Sequence, residues 1–297
     1  MHDLRFIGIG AVKSGSSWMA SLLSQHPEVC MSSRKEIAYF NAFNFDGTEN
    51  KSSSYGLDYY SKFWSNTDKV KGEVSPQYFY DEGCPKRIKE AFPDTHILIM
   101  LRNPKQVVYS HYLYEKFFNR SIEASISFIE ALNKNPFLLK SALFSEQIKR
   151  YQKIFRKEKI HIYFLDEALK NKSKFSKQLY ADIELDKVDF EPDYSSVNES
   201  KRVKSEFINR LIRIPSSIKK QIEGSLLKGF MNQVMQAKFF IHLVRLRNSL
   251  LDRNVERLNK PKLTLEEKNY LDNYFKKEIE DLELLLGVDL SRWKTID

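Results

Sequence analysis

Two short apolar runs, residues 5–10 (through Phe6-Ile7-Gly8-Ile9-Gly10) and 96–101 (through Ile97-Leu98-Ile99-Met100-Leu101), have the length and near-continuous hydrophobicity of strands buried on both faces. Residues 159–164, Lys-Ile-His-Ile-Tyr-Phe, alternate like a further strand. Helical spacing follows at 16–25, 55–64, 85–91, 105–118, 123–133 and 141–156, with Pro27, Pro93 and Pro136 marking breaks. Strands alternating with helices predict an α/β protein: a three-layer arrangement in which helices flank a parallel sheet. In such sheets ligands sit beyond the carboxyl ends of the strands, where the loop around Lys13 and the residue Arg102 both fall.

Further along, Leu226, Leu227, Phe230, Met231, Val234, Met235, Phe239, Phe240, Leu243, Val244 and Leu246 recur at spacings of three and four. They predict a basic amphipathic helix within about 215–257. From Thr264 to Trp293 the spacing is again helical, with Gly287 as a stop. The expected organisation is one domain over 1–297, with an α/β core to residue 204 and a helical C-terminal region over 205–297.

The segment Lys13-Ser14-Gly15-Ser16-Ser17-Trp18 stands between the first strand and the first helix. A tight turn there aims backbone N–H groups at an anion. Gly15 permits close approach, Ser16 and Ser17 add hydroxyls at the helix start, and Lys13 adds positive charge. The Walker A loop needs Gly-Lys followed by Ser or Thr. Here Lys13 precedes Gly15 by two residues, which argues against Mg²⁺-dependent ATP or GTP hydrolysis. A nucleotide kinase with a degenerate loop stays an alternative, and so does a basic nucleic-acid binder, although no interleaved aromatic sheet motif supports the latter.

These residues resemble the phosphosulfate loop, Lys-Ser-Gly-Thr-Thr-Trp, of the sulfotransferases that use 3′-phosphoadenosine 5′-phosphosulfate (PAPS). A second block, Ile97 to Pro104 followed by Val107-Val108-Tyr109-Ser110-His111-Tyr112, resembles that family's 3′-phosphate site. Between the two, Gly72-Glu73-Val74-Ser75-Pro76-Gln77-Tyr78-Phe79 resembles a linking segment of the glycan-sulfating and bacterial branches, and Arg34-Lys35-Glu36-Ile37-Ala38-Tyr39-Phe40 resembles their acidic acceptor motif. The likeness spans roughly residues 5–205 and returns weakly in the final helix.

The resemblance implies in-line transfer of a sulfuryl group from PAPS to an acceptor hydroxyl or amine, leaving 3′-phosphoadenosine 5′-phosphate. That chemistry requires alignment, charge neutralisation on the leaving phosphate and removal of the acceptor proton. Lys13 is the candidate for the leaving-group charge, against a solvated loop lysine. Ser14, Gly15, Ser16 and Ser17 would hold the 5′-phosphosulfate, against an ordinary Ser-rich helix cap. The family likeness puts Trp18 on the adenine; a plain core tryptophan is the alternative. Arg102 and Ser110 would grip the 3′-phosphate, because an Arg directly after a buried strand is costly without an anionic partner; a carboxylate is the other partner it could have. Lys201 and Arg202, in Val197-Asn198-Glu199-Ser200-Lys201-Arg202-Val203-Lys204, resemble donor-loop phosphate contacts, against a solvated charge run.

Glu36 is the candidate general base, on the expectation that Ile37, Tyr39 and Phe40 partly desolvate it; the alternative is a surface Glu. The motif departs from those relatives: Ala38 stands where they often have His, Asn41 where they have an acid, and Val74 where several have a Lys supporting the acceptor. Arg34, Lys35, Asp46 and His111 are the candidate substitutes.

Composition narrows the partners. With 42% hydrophobic and 13% aromatic residues over 297 positions the chain can bury a full core. The two cysteines supply no disulfide framework, and the six histidines lack paired metal-ligand spacing, so no metal is expected. Residues 201–260 hold 14 Lys plus Arg against 4 Asp plus Glu, a net of +10, so the other residues of this +9 chain net −1. A basic amphipathic segment packs on its own core, holds an anionic glycan, or lies on an anionic membrane surface presenting a lipid-linked acceptor. The expected acceptor is a carbohydrate or glycolipid, with a small molecule or lipid as the alternative. The N-terminus shows no basic-then-apolar leader and no run of 18 apolar residues occurs, which implies a cytoplasmic protein of bacterial type, peripheral at the inner membrane face if the basic segment binds lipid. Asn-x-Ser sequons at Asn50, Asn119, Asn171 and Asn198 are attributed to chance.

Overall fold

The structure, a computed structural model, describes residues 3–43, 48–185, 190–195, 201–203, 255–257 and 261–294. They fall into two compact units, one drawn from Met1–Tyr112, Ile126–Asn198 and Lys262–Asp297, the other from Leu113–Ser125 and Glu199–Pro261. The first is built on five strands: β1 (Phe6–Gly10), β2 (Val29–Met31), β3 (Val70–Val74), β4 (His96–Leu101) and β5 (Ile160–Phe164). They lie in the order β2-β3-β1-β4-β5, all parallel. The helices are α1 (Ser16–Gln25), α2 (Gly56–Ser61), α3 (Cys84–Ala91), α4 (Pro104–Tyr114), α5 (Phe128–Lys134), α6 (Phe137–Lys140), α7 (Ser145–Gln152), α8 (Leu165–Lys170), α9 (Lys172–Asp182) and α10 (Leu265–Leu286). In the second unit β6 (Lys201–Val203) pairs antiparallel with β7 (Val255–Arg257). The predicted α/β architecture, a parallel sheet flanked by helices with a helical C-terminal segment, is the one observed. The predicted amphipathic helix within 215–257 lies outside the described residues, apart from β7 at its end.

Every residue of β1 and β4 is buried, as the continuous apolar runs require of central parallel strands. One face of the sheet, with Phe6, Leu98 and Met100, packs on Trp18, Met19, Leu22 and Leu23 of α1 and on Phe175 and Leu179 of α9. β2 and β3 were not predicted as strands. β2 has only three residues, and β3 carries Lys71, Gly72 and Glu73, which break the apolar pattern. Gly72 is dictated by its cross-strand partner: a Cβ there would run into the ring of Phe6, which is wholly buried. Predicted helix ends shift where local chemistry intervenes. The helix expected from 123 starts at Phe128, because the Ser127 hydroxyl accepts from the Glu130 amide at 3.3 Å and caps it. The helix expected to run through 118 is α4 followed by a π turn over Glu115–Asn119.

α10 begins with a reciprocal capping box between Thr264 and Glu267 and ends at Gly287 in the left-handed region (φ 67). It is tied into the first unit at several points. The buried Glu278 carboxylate accepts from the amides of Phe144 and Ser145 at 2.7 and 2.8 Å, filling the N-terminal donors of α7. Lys105, fully buried, pairs with Asp272 and donates to the Lys294 carbonyl at 2.8 Å. Trp293 packs edge-on against Phe164, and its indole N–H donates to Asp166 at 3.2 Å.

The amino end of the sheet carries a titratable chain. Lys159 Nζ lies 2.8 Å from His96 Nε2, and His96 Nδ1 lies 2.9 Å from His161 Nε2. Lysine has only donors, so the neutral His96 accepts at Nε2, carries its proton on Nδ1 and donates to His161. His161 Nδ1 then faces Asp182 at 3.7 Å, while Glu184 lies against Lys159, His96 and Arg5. Burial, reinforced by Lys159 and His161, pulls the His96 imidazole down to about 4, and burial also lowers His161. Between pH 6.5 and 4 the unfolded chain therefore binds a proton at His96 that the folded one refuses, so the contribution is complete above pH 6.5 and lost on acidification. Urea titrations at pH 7.5 and 4.5 are expected to show about 2–3 kcal/mol less stability at the lower pH, and His96→Gln is expected to shrink that difference. An equal loss in His96→Gln would place the acid sensitivity elsewhere.

Candidate active site

β1 sends the chain toward β3 and β2 on one side, whereas β4 sends it toward β5 on the other. The carboxyl ends of these adjacent strands therefore border the crevice expected at a topological switch point. The loop after β1 is pinned from below: the Ala11 amide donates to the Met100 carbonyl at 2.8 Å, and the Val12 amide donates to the Tyr80 hydroxyl at 3.1 Å. Tyr80 in turn donates to the Ser141 carbonyl at 2.9 Å, and burial pushes its phenol far above the ordinary range. Lys13 (φ 56) and Gly15 (φ 91) both adopt left-handed backbone. At Gly15 a side chain is excluded twice, by φ and by Leu165 Cδ1, which would lie 2.7 Å from an added Cβ. Gly15 is the N-cap of α1 and no side chain caps it; its carbonyl accepts from the Trp18 amide at 2.9 Å, and the Ser16 and Ser17 amides open the helix at the position that suits an anion. Ser14 is buried, its hydroxyl donating to the Val12 carbonyl at 3.3 Å, and Ser16 is buried beside it.

Arg102 joins the two blocks. It follows β4 directly, and its Nη1 donates to the Lys13 carbonyl at 3.3 Å while Nε donates to Gln106 Oε1 at 3.0 Å. Burial disfavours its charged form. Among the described residues no carboxylate lies within salt-bridge distance of it, so the carboxylate partner allowed for in the sequence is not observed. Ser110 is half-buried in the second turn of α4, the helix that opens two residues after Arg102.

On the other side of β1, at the end of β3, stands the segment carrying Glu36. Glu36 (φ 60) and Ala38 (φ 55) are both left-handed. The Glu36 carboxylate is ion-paired with Lys35 Nζ at 2.5 Å and about a third exposed. Ile37, Tyr39 and Phe40, expected to desolvate it, are themselves 2–4% exposed and belong to the core. The segment is held by its backbone. The Ala38 amide donates to Ser75 Oγ at 3.2 Å, Asn50 Nδ2 donates to the Ala38 carbonyl at 2.6 Å, and the Ala42 amide donates to Asp81 at 2.5 Å. Asn50, one of the sequon residues, is thus a buried structural donor. Ser75 is itself fixed to β1, its amide donating to the Gly8 carbonyl at 2.8 Å.

The structure therefore brings the Lys13–Ser17 loop and Arg102 together at the carboxyl ends of β1 and β4 and hangs the Glu36 segment from the residue after β3. Trp18 is 5% exposed and stacks on Phe175 with ring centroids 5.3 Å apart, so in this geometry it is packed as a core residue. Lys201 and Arg202 lie on β6 in the other unit. Val74 and Asn41 point to packing as the reason for their departures: both are buried, and Asn41 Nδ2 donates to the Gln77 carbonyl at 3.2 Å. The sequence reading missed Tyr80, Gln106, Asn50 and Glu73 as supports of the site. Asp46 lies outside the described residues, and His111 bonds Ser141 Oγ at 3.3 Å.

A parallel α/β sheet with a glycine-turned loop opening α1 and an arginine bonded to that loop at the switch point is an architecture suited to phosphate groups. The family model described as sulfotransferase domain matches residues 5–223, and the chain belongs to that family of transferase enzymes. The solved structure of a sulfotransferase from Alicyclobacillus acidocaldarius superposes with a TM-score of 0.68 at 22% identity, covering 99% of this chain and 100% of that one, and shares the fold. The membrane-associated sulfotransferase kil1 of Dictyostelium discoideum is 25% identical over 158 residues, 52% of this chain and 32% of that protein. Heparan sulfate glucosamine 3-O-sulfotransferase 5 of Mus musculus is 27% identical over 181 residues, 54% of this chain and 49% of that protein. The chain thus spans less than half the length of these two relatives. Among the described residues no helix is long and apolar enough to cross a membrane.

Proposed function

We propose that this protein transfers a sulfuryl group from PAPS to a hydroxyl or amine of a carbohydrate acceptor. The observation that carries the reading is Arg102: a cation with burial working against its charge, bonded to the backbone of the Lys13 loop at 3.3 Å, with no carboxylate partner among the described residues. Only two of the five guanidinium N–H donors have a described acceptor, which leaves a fork suited to a phosphate. Heparan sulfate sulfotransferases among the relatives support a glycan acceptor.

In this reading the α1 amides and the hydroxyls of Ser16 and Ser17 hold the 5′-phosphosulfate, and Arg102 with Ser110 holds the 3′-phosphate. Lys201 and Arg202, on β6, are the remaining candidate phosphate contacts. The acceptor oxygen or nitrogen bonds to sulfur as the bridging S–O bond breaks. Glu36 takes the acceptor proton, and Lys13 neutralises the charge that collects on the leaving phosphate. The basic 201–260 stretch gives the protein a means of approaching a polyanionic glycan or an anionic membrane.

Calorimetric titration with 3′-phosphoadenosine 5′-phosphate, against 5′-AMP and ATP with Mg²⁺, tests the donor site. Micromolar affinity that depends on the 3′-phosphate is expected, and Arg102→Ala is expected to weaken it about 10- to 100-fold, the range of a charge-assisted contact, while leaving 5′-AMP affinity nearly unchanged. Preference for ATP with Mg²⁺ would favour a kinase instead.

A further inference from the structure

Glu73 is an ionisable group that the chemistry above does not use. It is fully buried in β3, and among the described residues no cation lies within salt-bridge distance of it. Its Oε1 accepts from the hydroxyls of Tyr60 at 2.5 Å and Tyr78 at 2.8 Å, its Oε2 accepts from Ser75 Oγ at 2.6 Å, and the Ile37 backbone amide donates to it as well. These four donors come from four places: α2, the turn over Pro76–Phe79, the residue directly after β3, and the Glu36 segment. A carboxylate has about four acceptor positions, and all are filled by groups that can only or do donate here.

A buried charge without a counter-ion costs several kcal/mol that a leucine or a glutamine would not incur. Burial raises the proton affinity of the Glu73 carboxyl, and its four donors work against that rise; filling the core does not account for a carboxyl at this position. What it accomplishes locally is specific. Ile37 donates to Glu73 directly, and Ala38 donates to the Ser75 hydroxyl that Glu73 holds in orientation. These are the two amides immediately following Glu36, on a stretch in which Glu36 and Ala38 both sit at positive φ, a conformation that non-glycine residues keep only when their surroundings over-determine it. Tyr60, a second Glu73 partner, also forms the floor under Tyr39 and Phe40, with ring centroids at 4.7 and 5.3 Å.

We propose that Glu73 is a positioning residue for the acceptor side of the site, fixing the backbone of Glu36 through the Ile37 and Ala38 amides. The proposal rests on the reading of Glu36 as the base. Replacing Glu73 by glutamine keeps the volume but turns one oxygen into an N–H₂ donor among donors, so at least one of the four bonds is lost.

The test compares Glu73→Gln, Glu36→Gln and the double variant, with Ser75→Ala as a milder lesion that removes only the Ala38 contact and one Glu73 bond. Three quantities are read: amide hydrogen exchange at Ile37 and Ala38, affinity for 3′-phosphoadenosine 5′-phosphate, and transfer from PAPS to de-N-sulfated heparan sulfate. Glu73→Gln is expected to lower protection of the two amides at least 10-fold and kcat about 10- to 100-fold, with nucleotide affinity within about 3-fold of wild type. The double variant is expected to be no slower than Glu36→Gln alone, because both lesions act through one group. If Glu73→Gln fails to fold, Ser75→Ala is expected to show the same pattern at smaller size. Unchanged protection at Ile37 and Ala38, or a slow Glu36→Gln beside a full-rate Glu73→Gln, overturns the role of Glu73 alone. A full-rate Glu36→Gln removes Glu36 from the chemistry and takes the proposal with it. Where wild type does not sulfate this glycan, the exchange measurement decides by itself.

Discussion

Replacing Lys13 by alanine is expected to lower kcat about 10³-fold while shifting the melting temperature little. The magnitude is that of removing one preorganised charge from a developing oxyanion, about 4 kcal/mol of transition-state stabilisation. Lys13 sits in a loop whose course is set by other groups: the Met100 carbonyl, the Tyr80 hydroxyl and the Gly15 turn. Arg102 grips the Lys13 carbonyl rather than its side chain, so truncation at Cβ leaves that bond in place. Product-nucleotide affinity should consequently fall far less than turnover. Single-turnover transfer from PAPS, read beside calorimetric affinity for the product nucleotide, separates the two quantities. A Lys13→Ala protein that turns over within a few-fold of wild type would show that the leaving phosphate is neutralised by another group.

The second large effect is on stability. Trp293 is 1% exposed and the largest fully buried side chain among the described residues, so Trp293→Ala is expected to cost about 4 kcal/mol, at the upper end of buried aromatic truncations. That corresponds to a fall in melting temperature on the order of 10 °C for a chain of this size. The loss exceeds simple burial because Trp293 does three things at once. It covers Phe164 at the end of β5, donates to Asp166 at the start of α8, and precedes the Lys294 carbonyl that receives the buried Lys105 ammonium. Thermal unfolding of Trp293→Ala beside Trp293→Phe, which keeps the ring contact but not the indole donor, apportions these contributions. A drop of only a degree or two in Trp293→Ala would mean that the C-terminal turn is peripheral to the core.

The central strands and the turn at Lys13–Ser17 were legible because their physics is local. A strand buried on both faces must be apolar throughout, and β1 and β4 are. A close approach to an anion needs Gly and short hydroxyl residues at a helix start, and residues 13–17 supply them in order. The acceptor side was less legible. Glu36 was singled out by likeness to a motif, and the structure sets its carboxylate, about a third exposed and paired with Lys35, on a left-handed turn beside the inward-facing Ile37, Tyr39 and Phe40. The Ala38 amide within that turn is held by Ser75, just past β3 and 37 residues away. A fully buried glutamate inside a strand also hid β3 itself, since charge in the middle of an apolar run reads as a break. Tyr80 was invisible for a related reason: nothing local distinguishes a tyrosine that fills a core from one whose hydroxyl steers a loop 68 residues away.

The Lys105 ammonium and the Lys294 carbonyl that receives it are 189 residues apart in the chain. At the roughly 5–20 residues per second of protein synthesis, about 10–40 s separate the emergence of the two. Throughout that interval the helix following Arg102 has its lysine but not the partners that make burial of that lysine tolerable, and the apolar surface destined for Leu271, Phe275, Ile279 and Leu282 of α10 has nothing to cover it. The helix beside β4 therefore gains the last of its buried partners only once α10 and the turn that follows it have been made, so one of the earliest helices of the chain is completed by its final residues.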